Sequence, residues 1–266
     1  MVGAAAAKLT RFEQERVLTK PTVNLAAYEY VLRGRDRLVN ATRQQNDAAR
    51  ELFQHAIELD PNYAAAYAAL GGTYFDSAVS GWAEFPNEDV ARANELASKA
   101  LALDPTTISA YRLLAVVQMF NRHYDLALGQ IDRALEINPN DAESYAYRGV
   151  ILVFAGRSAE ALPWLEGALR FDRANVRAVL YIGMANYFVD RHAEAIEALD
   201  RALARGPGRN TQLLGHPILA ASYAEIGRNE DTERERALIR RLFPLFDADR
   251  FAAQFGTQEA RNHIKA

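Results

Sequence analysis

The chain has 266 residues, of which 50% are hydrophobic and 24% charged, with a formal net charge of -3 and no cysteine. This balance fits a folded, soluble chain. It excludes disulfide frameworks and cysteine-based metal or nucleophile sites, and it argues against a nucleic-acid binder, which needs a strong basic stripe.

The first segment, 1–20, reads as an N-terminal helix and linker. Leu9, Phe12, Val17 and Leu18 are available for packing, and Lys20-Pro21-Thr22 ends the helix. No stretch approaches the roughly 18 apolar residues of a membrane span, so the expectation is a cytoplasmic protein with no membrane partner.

Residues 21–245 form an array. Its punctuation is a set of helix-ending tripeptides: Asp60-Pro61-Asn62, Asp104-Pro105-Thr106, Asn138-Pro139-Asn140 and Gly206-Pro207-Gly208. Pro105 and Pro139 are 34 residues apart, and Pro139 and Pro207 are 68 apart. A fixed period of this size means stacked helix–turn–helix units, about five to six of them here. Each proline ends its helix, since it lacks an N–H and disfavours helical geometry in the residue before it. Arg173 stands where a proline is expected, which predicts a more continuous bend there.

Within units the residues recur in register. Tyr67, Leu70 and Gly71 are followed at the same spacings by Tyr111, Leu114 and Ala115, by Tyr145, Arg148 and Gly149, and by Val179, Ile182 and Gly183. Second helices carry Ala93, Ala127, Ala161 and Ala195, then Ala100, Ala134, Ala168 and Ala202. Small residues let paired helices approach closely. This pattern resembles the tetratricopeptide repeat family. The resemblance implies an all-α fold: a right-handed α-solenoid of tandem helix–turn–helix repeats with capping helices. Atypical first and last units are expected, because terminal repeats face water on one side.

Pro61 and Pro105 are 44 residues apart, ten more than the period. The excess predicts an insertion at 77–88, a loop in which Trp82 and Phe85 could anchor a partner. Beyond Pro244, residues 246–266 read as C-terminal capping helices, one around Arg250–Phe255 and one from Thr257 to Ile264.

First helices of the units line the concave groove in this family. The expected peptide-binding groove is built from Arg112, Val116, Met119, Phe120, Tyr147, Val150, Phe154, Arg177, Tyr181, Met184, Tyr187 and Phe188. Phe120, Phe154 and Phe188 recur at the 34-residue period; such a column serves either packing or binding. An apolar groove suits an amphipathic helix. On this reading Tyr181→Ala with Met184→Ala weakens partner binding and leaves helicity nearly intact. The Lys, Asn and Arg clamp of chaperone-tail binders is replaced here by Ala68, Gly72, Leu113, Glu143 and Tyr147.

No catalytic, cofactor or metal site is expected. The five histidines, His55, His123, His192, His216 and His263, include no pair at i, i+4 spacing, and no glycine run has a phosphate-loop pattern. His123 and His192 read as solvated turn residues. The entry segment Lys20 to Arg35, the stretch Glu58 to Ala64, the Gly81-Trp82 insertion and the Phe246-Asp247 ending are similar to the C-terminal repeat region of bacterial class III adenylate cyclases. That resemblance implies a regulatory or interaction role, with catalytic residues outside this chain. The leading reading is a non-catalytic scaffold for a protein or peptide partner. That partner includes, as options, the chain's own N-terminal helix or other domains of a parent protein. An autoinhibitory or oligomerisation segment of an enzyme or transcription regulator is the alternative, with a homo-oligomer left open. An RNA-binding helical repeat is the third reading, disfavoured by the net charge.

Overall fold

The computed structural model describes residues 22–38, 42–206 and 208–255. The expected N-terminal helix, Pro207 and the expected final helix from Thr257 lie outside the described residues. Among the described residues thirteen helices follow one another: α1 Leu25–Leu38, α2 Arg43–Leu59, α3 Ala64–Val79, α4 Pro86–Leu103, α5 Ile108–Phe120, α6 Tyr124–Ile137, α7 Ala142–Phe154, α8 Ser158–Phe171, α9 Val176–Tyr187, α10 His192–Arg205, α11 Arg209–Glu225, α12 Asn229–Leu242 and α13 Ala248–Ala252. No strand occurs among the described residues.

The first twelve helices form six antiparallel pairs. Each odd-numbered helix packs on its even-numbered partner and on the next odd-numbered helix, from α1 through α11. Even-numbered helices do not pack on one another. That asymmetry makes the solenoid: the odd layer is crowded and concave, and the even layer is splayed and convex.

Close approach within pairs is set by glycine. A Cβ on Gly149 would lie 2.4 Å from Leu165 Cγ, and one on Gly183 would lie 2.7 Å from Leu199 Cγ. Leu165 and Leu199 are fully buried. The recurring alanines Ala93, Ala127, Ala161, Ala195, Ala100, Ala134, Ala168 and Ala202 are all fully buried as well.

The breaks between pairs rest on an Asx turn more than on proline. Asp60 Oδ1 accepts from the N–H of Asn62 at 3.0 Å, Asp104 from Thr106 at 2.9 Å and Asn138 from Asn140 at 3.1 Å. Asp172 does the same to Ala174 at 2.9 Å, although Arg173 replaces the proline. The expected continuous bend at Arg173 is therefore corrected. α8 stops at Phe171 with the Asp172 N–H still on Ala168 O, in the same extended geometry as the other caps. A side-chain oxygen that mimics the next turn of backbone ends the helix without a ring.

Turns inside the pairs have their own device. Arg122, Gly156 and Asp190, spaced by the period, and Gly227 all have positive φ. The following N–H in each case reaches back five residues, as from His123 to Gln118 O at 2.9 Å and from Arg157 to Leu152 O at 2.8 Å. This is the left-handed helix stop that favours glycine.

The ten extra residues do not form a long loop. α3 has 16 residues and α4 has 18, against 13 and 14 in α5 and α6. The excess lengthens both helices and leaves a turn of residues 80–85, in which Trp82 and Ala83 donate to Ser77 O. Trp82 is half-buried, whereas Phe85 is 57% exposed.

The ends are closed by polar contacts. Thr22 Oγ1 donates to Asp60 Oδ2 at 2.5 Å, and Asn24 Nδ2 to Leu59 O at 2.9 Å, so the distinctive entry segment seals the start of the first pair. In the last pair Glu235 and His216 meet in a buried contact of 2.7 Å. α13 does not extend the stack as a further layer. It turns back toward the inner helices, where Phe255 meets Phe154 and Phe188.

Candidate peptide-binding groove

The odd helices bring the expected groove residues onto one side of the array, but they do not expose them equally. Met184 and Tyr187 are fully buried, and Val116, Val150 and Tyr181 are nearly so. These five belong to the packing between layers, so they offer little or no surface to a partner. The Tyr187 ring also tilts against His192 at 5.6 Å, and the His192 side chain is largely buried rather than solvated as expected. His123 is exposed.

The two rim arginines are clamps between successive units. Arg112 on α5 reaches Asp141 at 2.6 Å. Asp141 in turn caps α7 by accepting from the Ser144 N–H at 2.9 Å. Burial pushes the Asp141 carboxyl up, but Arg112 and Ser144 outweigh it and hold it below its ordinary value. One repeat on, Arg177 pairs with Glu143 and lies over the Tyr147 ring at 4.3 Å. Glu143 also accepts from Asn175 Nδ2 at 2.8 Å, while Asn175 caps α9. Each clamp stitches the start of one odd helix to the next.

The less buried of the expected groove residues form a strip along α5, α7 and the end of α9. Phe120 is 43% exposed, and Met119, Tyr147, Phe154 and Phe188 are half-buried. Phe75 meets Phe120 edge-on at 6.2 Å. Phe154 and Phe188, which the period marks as equivalent to Phe120, are covered by Phe255 from the C-terminal segment. Phe75, Phe251 and Phe255 were not legible as groove residues. Phe251 and Phe255 show a four-residue spacing, but nothing in that spacing says where the segment folds back.

Among the described residues no three His, Asp or Glu side chains converge to hold a metal ion. No helix among them is long and apolar enough to cross a membrane.

Models of the tetratricopeptide repeat match residues 131–162 and 155–210. The chain carries tetratricopeptide repeats. The tetratricopeptide fold extends over the whole array. PilF of Pseudomonas aeruginosa superposes with a TM-score of 0.56 at 20% identity, covering 84% of this chain and 94% of that one. The repeat protein TTC0263 of Thermus thermophilus gives a TM-score of 0.58 at 20% identity, covering 73% of this chain and 99% of its own. A protein of Rhizobium meliloti (strain 1021) named "Putative adenylate cyclase 3" is 27% identical over 127 residues, which is 48% of this chain. The matched part spans 22% of that protein's length.

One polar group of the tetratricopeptide array sits awkwardly at the end of α3. Burial pushes the Asp76 carboxyl up to about 6, with the Arg177 charge opposing. The unfolded chain loses this proton near pH 4, so the protonated form favours the fold below about pH 4 and that contribution is lost as pH rises through 6. Asp76→Asn therefore raises stability at pH 7 by roughly 1 kcal/mol, allowing for residual solvent contact, and changes it little at pH 4. Urea titrations at the two pH values check this; equal gains at both would contradict it.

Proposed function

We propose that this chain is a non-catalytic scaffold that binds a peptide or helix along its concave face. We further propose that it serves as the regulatory repeat portion of a cytoplasmic adenylate cyclase-like signalling protein. Tetratricopeptide arrays are protein-interaction scaffolds, and stacked repeats present extended concave surfaces. The observation that carries the reading is the aromatic strip Phe120, Phe154 and Phe188 along α5, α7 and α9, with Phe120 left 43% exposed. Aromatic side chains with a flexible Met119 beside them suit an amphipathic helix. Sequence similarity to part of the Rhizobium meliloti protein supports the cyclase setting.

Two measurements test this. Genomic sequence upstream of the Val2 codon should continue in frame into a class III cyclase domain. A stop codon and ribosome-binding site immediately upstream would remove the cyclase part of the proposal. The purified cyclase domain should then associate with the 266-residue chain, and Phe120→Asp should weaken that association about tenfold, the scale of losing one interface anchor. Leu126→Asp, on the exposed face of α6, is the control and should leave it unchanged.

A further inference from the structure

The concave strip already has an occupant. Phe255 is fully buried although it lies three residues beyond the end of α13. Its ring stacks parallel on Phe154 at 5.3 Å and 4°, and tilts against Phe188 at 4.9 Å. Phe251 packs edge-on against Phe255 at 5.6 Å, and Phe246 follows at 5.5 Å from Phe251. Arg122 on the neighbouring repeat donates to the Ala253 carbonyl at 2.5 Å. Three successive repeats thus contribute one group each to holding this segment: Arg122, Phe154 and Phe188.

The chemistry of these contacts is that of a peptide site. Phe255 enters the aromatic slot, and Phe251, four residues earlier and also buried, packs edge-on behind it; offset and edge-on ring pairs add to area burial. The arginine holds a main-chain carbonyl, a group every peptide supplies. α13 itself has five residues, far short of the roughly 12 that an isolated helix needs in water. Its helical form therefore depends on what Phe251 and Phe255 bury.

We propose that the slot between Phe154 and Phe188 is an aromatic docking site that residues 247–255 fill as a tethered pseudo-ligand. Its external ligand is an amphipathic peptide carrying two aromatic side chains one helical turn apart. Such a ligand displaces Phe251 and Phe255, and the slot joins Phe120 to make one continuous strip. This inference deepens the scaffold reading and rests on it.

The tether sets the size of the effect. A short linker gives an effective concentration of about 1 mM, so a peptide with an intrinsic Kd of about 0.1 mM binds some tenfold more weakly while the segment is in place. The probe is a fluorescein-labelled peptide of residues 244–255, titrated into the 266-residue chain and followed by anisotropy. Phe255→Ala should tighten binding about tenfold. Arg122→Ala, which leaves the rings intact, should tighten it two- to fivefold. Adding Phe154→Ala to Phe255→Ala, or replacing Phe251 and Phe255 in the probe, should abolish binding. Equal affinity in the unsubstituted chain and both release variants would overturn the proposal, as would binding that ignores Phe154→Ala or no binding to either release variant. Far-UV circular dichroism establishes that each variant is folded. If the probe results fail while Phe120→Asp still weakens association with the cyclase domain, only the pseudo-ligand falls. If both fail, the scaffold reading falls with it.

Discussion

Met184→Ala should lower the stability of this protein by about 2–5 kcal/mol, the range for emptying a buried methionine site. Met184 is fully buried in the largest core cluster, which joins α5 through α11 and also includes Phe251 and Phe255. Its thioether fills space between layers that cannot collapse, because the surrounding alanines and glycines already bring the helices to contact. Combining it with Tyr181→Ala should cost more than either alone, without simple additivity, since the two share a cluster. Urea denaturation followed by circular dichroism measures this. The sequence-based expectation was the reverse: a loss of partner binding at nearly intact helicity. An unchanged unfolding midpoint in the double variant would restore that expectation and remove both residues from the core.

Gly149→Ala should cost about 1 kcal/mol net even though alanine is the better helix former. The new methyl would sit 2.4 Å from both Leu165 Cγ and Cδ2. Leu165 is fully buried, so it has no free volume to retreat into. Overpacking of this kind costs typically 1–3 kcal/mol and outweighs the roughly 1 kcal/mol gain in helix propensity. Gly72→Ala provides the contrast. Nothing lies within 4 Å of a Cβ there, and the residue is in the middle of α3. That variant should gain about 0.5–1 kcal/mol. Hydrogen exchange should localise the Gly149→Ala loss to α7 and α8, because in a stacked array each unit is coupled mainly to its neighbours. Equal responses of the two glycines would refute the packing argument.

The repeat, its helix pairs and its small-residue positions were determined by the sequence itself. Asp60, Asp104 and Asn138 mark breaks locally, and Gly71, Gly149 and Gly183 recur because each unit solves the same close-approach problem. Those are short-range constraints, and a period of 34 residues repeats them visibly. Arg173 misled only where proline was taken as the signal; the Asp172 carboxylate carried it instead. Groove membership was another matter. Val116, Val150, Met184 and Tyr187 share the apolar character of Met119 and Phe120, yet the first four face neighbouring helices and the last two face outward. Periodicity cannot separate a side chain pointing into the next layer from one pointing into the concavity, because both recur once per repeat. The tertiary structure decided that division. It also decided that Phe255 returns to Phe154 and Phe188, contacts made across 101 and 67 residues of chain that no local pattern encodes.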